Sequence, residues 1–153
     1  MTRCLLALAV VACSSSSKPA VDAAGDGAYH CTVTQMRCGG GEKWPPGFDH
    51  IAGGSTFTLA IGDASIAVTD VAPDSGPVIA DAFECTGTWT GTMLACTLPT
   101  GTSCTGGSVT DVPFAVVTSG TNPNTQMPLA PDEIWAGEWP NVPASNLSSV
   151  CTY

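Results

Sequence analysis

Apolar and polar residues alternate with a period of two along several short stretches of this chain. Residues 56–61 and 65–70 both show the alternation, with Phe57 and Leu59 among the apolar positions of the first stretch. A period of two is typical of strands that bury one face. The stretches are separated only by residues 62–64, a Gly-Asp-Ala turn sequence, so the pattern predicts a β-hairpin.

The clearest hairpin spans residues 83–98. A two-residue turn at Thr90-Gly91 brings the apolar positions of both strands to one face, in a half-buried antiparallel pair. These positions are Phe83, Cys85, Gly87, Trp89, Leu94, Cys96 and Leu98. In this register Cys85 lies opposite Cys96 with Cα atoms roughly 4.5–5.5 Å apart, which predicts a disulfide. The alternative is that each thiol bonds a cysteine on a facing sheet.

The remaining segments also favour strands. Residues 29–36, 114–118 and 78–82 are predicted strands, whereas residues 131–139 fit a helix or a strand. Threonine is abundant, and glycine and proline interrupt nearly every window, which disfavours helices. Turn-rich joints are predicted elsewhere, among them residues 99–107. We therefore expect an all-β fold, a small antiparallel β-sandwich or barrel.

Six cysteines follow residue 28, and an even number in an exported domain predicts three disulfides. They are Cys31, Cys38, Cys85, Cys96, Cys104 and Cys151. Zinc is the competing use, but the chain has no CxxC pair. Beyond Cys85–Cys96, two pairings stay open. One joins Cys31 to Cys38 and Cys104 to Cys151; the other joins Cys31 to Cys151.

The first thirteen residues have the layout of an export signal. A basic Arg3 precedes an apolar stretch over residues 5–11, which is too short to span a bilayer. The run Val10-Val11-Ala12-Cys13 resembles the lipobox of bacterial lipoproteins. Val10 and Ala12 would also suit an ordinary signal peptidase, which is the rival interpretation.

The lipoprotein resemblance implies that Cys13 is acylated and begins the mature chain. It predicts a signal peptide over residues 1–12, a lipidated cysteine and tether over 13–28, and a disulfide-bonded β domain over 29–153. The tether is rich in Ser, Ala, Gly and Asp and cannot bury enough surface to fold. By the same resemblance, Ser14 implies sorting to the outer membrane of the cell envelope, with the membrane as partner through the lipid anchor.

The formal net charge of −9 makes nucleic acid an unsuitable partner, because phosphate binding needs clustered Lys or Arg. No nucleophile-elbow, zinc-protease, phosphate-loop or EF-hand motif occurs in the chain. Asp49 and His50 form its only adjacent acid–imidazole pair, interpreted as an exposed loop. We expect no cofactor, no metal and no catalytic residue.

One group of residues suggests a specific functional site. It consists of two carboxylates close in sequence to two indoles, Glu133 and Glu138 with Trp135 and Trp139. They could serve a glycosidase, in which the carboxyl separation sets the mechanism, or the indoles could stack on a sugar. The competing interpretation is that both indoles plug the end of the core. We therefore expect a non-catalytic binding or structural role with a protein or glycan ligand, the alternative being a small envelope enzyme acting on glycans.

Overall fold

The computed structural model describes residues 27–38, 42–48, 51–74, 82–139 and 146–153. Within these ranges the chain forms nine strands and no helix, so the all-β prediction is confirmed. The strands are β1 (Ala28–Met36), β2 (Lys43–Trp44), β3 (Thr56–Ile61), β4 (Ser65–Ala72), β5 (Phe83–Thr90), β6 (Met93–Ser103), β7 (Ser108–Val117), β8 (Glu133–Gly137) and β9 (Leu147–Thr152).

Eight of these strands close into an antiparallel barrel. Their order is β6-β5-β4-β3-β1-β9-β8-β7, and a pairing between β6 and β7 joins the two ends. Each of the eight therefore has a partner on both sides, which removes the free edges that an open sheet would present. Strand β2 is the extra element and pairs with the end of β6, Trp44 opposite Thr102. Of the two architectures expected, the chain adopts the barrel.

The main core fills the barrel interior with the inward residues of the strands. Phe48 packs edge-on against Phe57 at 5.3 Å between ring centroids, and Phe83 packs in the same way against Phe114. Trp44 is 1% exposed in this core, although its strand has only two residues. The offset and edge-on geometries are those that aromatic quadrupoles prefer.

A second, smaller cluster lies on the outside of the barrel and is called the outer cluster below. Ala115, Val117 and Trp135 are its buried members. Met93, Ala95, Leu129 and Trp139 are partly buried against it. Its buried members alternate with inward residues such as Phe114 and Ile134, which places them on the opposite face of β7 and β8.

The first predicted hairpin is confirmed as β3 and β4. Leu59 pairs with Val68, and both side chains are fully buried, as the alternation requires. Strand β4 runs further than predicted, through an irregularity in pairing at Asp70, which has a φ of 51°. A residue in this conformation opposite a shift of register is typical of a β-bulge.

The second predicted hairpin, β5 and β6, has the right faces and the wrong register. Trp89 pairs with Leu94 and Gly87 with Cys96, so the turn is Gly91-Thr92, one residue later than predicted. Gly91 has a φ of 61°. A glycine at the first central position suits a type II′ turn, whereas the predicted turn put threonine there. The register moves by two residues, so every side chain keeps its face.

Trp89 was predicted to face the core and is instead 38% exposed. It is the penultimate residue of β5, directly before the turn, and it is not a member of the main core. Its indole N–H donates to the carbonyl oxygen of Asp63 at 2.7 Å, which satisfies the polar end of the ring.

All six barrel cysteines are paired, as Cys31–Cys151, Cys38–Cys104 and Cys85–Cys96. The expected Cys85–Cys96 bond is present, but it runs diagonally between the strands with 6.0 Å between Cα atoms. Of the two open pairings, the structure contains Cys31–Cys151 and not Cys31–Cys38. It joins β1 to β9, which are neighbours in the barrel.

The other predicted segments have mixed outcomes. Residues 29–36 form β1, and residues 114–117 belong to the longer β7. The joint predicted over residues 99–107 was wrong in part, because β6 continues to Ser103 and the turn is confined to the few residues before Ser108. The ambiguous segment 131–139 contains strand β8.

Several predictions fall on parts of the chain that the structure does not describe. They concern the signal peptide, Cys13, nearly all of the tether, Asp49, His50 and residues 78–81. A search of the described residues finds no helix with the length and apolar character needed to cross a bilayer.

Candidate functional site

An open groove lies on the outer surface of the barrel where β5, β6 and β7 run side by side. Its cavity volume is about 500 Å³, within the range typical of small-molecule sites. The lining residues are Thr86, Gly87, Thr88, Ala95, Cys96, Thr97, Pro113, Phe114 and Trp139. Threonine hydroxyls and one indole thus dominate the chemistry that the groove can offer.

Strand pairing places the outward residues of this groove in rows across the sheet. Thr88 pairs with Ala95, which pairs in turn with Ala115. Thr97 pairs with Pro113 in the neighbouring row. Because side chains two positions apart share a face, these short residues make a shallow floor with hydroxyls along one side.

Trp139 forms the wall of the groove at its β7 side. Gly137 pairs with Ala115, so the chain leaving β8 passes along β7 towards Pro113. The indole is half-buried: it packs against the outer cluster and also lines the groove. It is the one member of the predicted four-residue site that lies in this cavity.

Glu138 holds the segment that carries Trp139. Its backbone N–H donates to the Leu147 carbonyl at 2.9 Å, and its Oε2 accepts from the backbone N–H of Asn146 at 3.2 Å. The residue is only 3% exposed. Together these bonds extend the contact between β8 and β9 past the last residue of β8 and orient the next side chain.

Glu133 lies at the other end of β8, where its Oε2 accepts from the backbone N–H of Ala130 at 3.1 Å. Glu133 and Glu138 are five residues apart, hence about 16 Å along an extended strand and on opposite faces. A glycosidase pair needs about 5–9.5 Å between its carboxyls. The two glutamates are therefore not placed to act on one glycosidic bond.

Trp135 is fully buried in the outer cluster. As the packing interpretation expects, both indoles contribute to a hydrophobic cluster, but it is the outer cluster on the outer face of the barrel and not the end of the main core. The indole N–H of Trp135 donates to Ser148 Oγ at 2.8 Å. Gly137 leaves room for this ring: a Cβ there would come within 3.0 Å of both the ring and the Leu147 carbonyl.

Two adjacent serines, Ser148 and Ser149, allow the hydrogen bond to the Trp135 indole to be tested. Ser148→Ala is expected to lower the free energy of unfolding by about 1–3 kcal/mol, because it leaves the buried Trp135 N–H without its acceptor. Urea unfolding followed by tryptophan fluorescence measures the change.

Ser149→Ala is the matched control for that variant. Ser149 Oγ is buried and finds no hydrogen-bond partner among the described residues, so its removal should leave stability unchanged or raise it. Equal losses in the two variants would contradict the role of Ser148 as an acceptor.

The groove itself is uncharged: no acidic or basic side chain is among its lining residues. Within the described ranges, no three His, Cys, Asp or Glu side chains cluster so as to bind a metal ion. A pKa shift occurs at Tyr29, where burial, and next the proximity of Tyr153, raise the pKa of the phenol. That residue lies on β1, a strand that does not line the groove.

Sequence reasoning singled out Trp139 but not the threonines that face it. Thr86 and Thr88 belong to the polar face of the predicted hairpin, and their alternation was the available signal. What the pattern did not show is that Trp139 and Pro113 would stand next to that face. Comparisons of the chain with protein-family models, with curated proteins and with solved structures find no match.

Proposed function

We propose that this protein is an acylated lipoprotein of the cell envelope, sorted to the outer membrane, whose barrel has a non-catalytic binding or structural role. Cys13 carries the acyl anchor, and the tether ends one residue earlier than the sequence predicted, at residue 27, because Ala28 already belongs to β1 and pairs with Ala60. The observation that carries the proposal is the lipobox-like run Val10-Val11-Ala12-Cys13 after a short apolar stretch.

The disulfides support the export part of this proposal. The barrel contains three disulfides. Disulfides persist in oxidising compartments and are rare in the cytosol. The six barrel cysteines bond to one another, so no barrel thiol is left over for Cys13.

The groove supports binding over catalysis. It offers hydroxyls and an indole, and no titratable side chain lines it that could act as a general acid or base. The enzyme alternative relied on Glu133 and Glu138, which serve instead as backbone acceptors at the two ends of β8.

Intact mass of the protein extracted from membranes tests the anchor. We expect a mature chain that begins at Cys13 and carries acyl groups, and reduction should add two hydrogens for each of the three disulfides. Cys13→Ser should abolish the lipid mass, and the mass of the uncut signal peptide should remain because the cut precedes an acylated Cys13.

Cys4→Ser is the matched control, because Cys4 lies in the segment that the signal peptidase removes. It should leave both the mass and the membrane association of the mature protein unchanged. A mature chain that starts at Ser14 without lipid, or an acyl mass that persists in the Cys13→Ser protein, would overturn the anchored assignment.

A further inference from the structure

We propose that the groove bounded by Thr86, Thr88, Thr97, Pro113 and Trp139 binds a segment of an uncharged oligosaccharide. This inference names a ligand class for the binding role proposed above and rests on that role. It does not depend on the lipid anchor, because every residue of the groove belongs to the barrel.

The side chains of the groove match the chemical groups of a sugar. Each threonine hydroxyl can donate one hydrogen bond and accept others, which matches the mixed donors and acceptors of sugar hydroxyls. The indole of Trp139 gives a flat apolar surface suited to the C–H face of a pyranose ring. The groove is open, so it suits a segment of a longer oligosaccharide better than an enclosed small molecule.

The lining of the groove carries no charged side chain. The chain has a formal net charge of −9, and the groove contributes no lysine or arginine that could pair with a phosphate or carboxylate. It contributes no carboxylate that could hold a cationic ligand either. The ligand that fits both facts is polar, rich in hydroxyl groups and neutral.

The aromatic wall of the groove is held in place before any ligand arrives. Trp139 packs on the outer cluster, and the two hydrogen bonds of Glu138 fix the backbone beside it. A side chain that is already ordered loses little entropy on binding, which favours affinity. Glu138 is in this sense a positioning residue for the groove.

The experiment uses the full-length protein in a detergent that is not a glycoside. Linear hexasaccharides of β-1,4-glucose, α-1,4-glucose and N-acetylglucosamine are titrated while NMR follows the indole N–H signals of the four tryptophans. We expect a saturable shift of the Trp139 signal with at least one of these sugars, and little change at the buried Trp44.

Variants show whether the binding occurs in the groove. Trp139→Ala should raise the dissociation constant for the sugar by about tenfold or more, which is the loss of affinity typical of removing an aromatic anchor. Trp89→Ala, which removes an exposed indole outside the groove, is the matched control and should leave affinity unchanged. Thr97→Val keeps the shape and fold and should weaken binding several-fold, so the proposal stays testable if Trp139→Ala perturbs the barrel.

The outcomes that overturn the proposal are distinct from those that overturn the lipid anchor. No saturable shift with any of the three sugars, or affinities that are equal in all variants, would remove the groove as a sugar site. Tighter binding of an acidic hexasaccharide such as hexagalacturonate would refute the neutral ligand class. Neither result changes the mass expected at Cys13, which is measured separately.

Discussion

Replacing both Cys31 and Cys151 with alanine is expected to lower the free energy of unfolding by about 5 kcal/mol. The bond joins residues 120 apart in sequence, so without it the unfolded chain gains the entropy of a very long open loop. Both cysteines are also buried in the main core, where truncation leaves a small void. Because whole domains are stable by only about 5–15 kcal/mol, we expect a large unfolded fraction.

The Cys85–Cys96 bond provides the comparison. It closes a loop of only 11 residues, so the Cys85→Ala/Cys96→Ala variant should lose about 3 kcal/mol in the same treatment. Urea unfolding of the wild type and the two double-alanine variants, with tryptophan fluorescence as the signal, measures both losses of stability. A larger loss for the short loop than for the long one would contradict an account based on loop length.

Trp44→Ala is expected to cost about 3–5 kcal/mol, the range for removing a buried aromatic ring. Trp44 is 1% exposed and belongs to a strand of only two residues, which pairs with β6 among the described strands. A large apolar contact, more than hydrogen bonding, therefore keeps β2 against the barrel. The loss should appear as a lower urea midpoint with an unchanged slope if the rest of the barrel stays folded.

Met127→Ala is the matched control for Trp44, because Met127 is apolar and 64% exposed. Its replacement should change stability by no more than about 0.5 kcal/mol. A Trp44→Ala protein as stable as Met127→Ala would show that β2 is dispensable for the fold. Amide hydrogen exchange at Cys104, whose backbone N–H donates to the Glu42 carbonyl at 3.3 Å, would then report whether β2 has detached from β6.

The β5–β6 hairpin shows how far sequence reasoning extends and where it ends. Alternation placed Phe83, Cys85 and Leu94 on one face, and all three are buried. The register was wrong by two residues, because a period of two cannot distinguish registers that differ by two. The conformation of Gly91 decides between them, and that follows from the turn type.

The candidate site shows a similar division. Glu133, Trp135, Glu138 and Trp139 were grouped because they are close in sequence, and only Trp139 reaches the groove. Along an extended strand, neighbouring residues point to opposite faces and separate by about 3.3 Å per step. Closeness in sequence therefore did not make these four residues one site, and the threonines that accompany Trp139 come from β5 and β6.

The sequence by itself determined the strand type, the inward faces of the hairpins, the number of disulfides and the acidic net charge. These properties depend on alternation and composition, which are local. Only the tertiary structure decided barrel closure through β6 and β7, the pairing of Cys31 with Cys151, and the burial of Trp44 and Trp135. Those features join residues that are distant in sequence, and packing of the whole barrel selects among the partners that local patterns leave open.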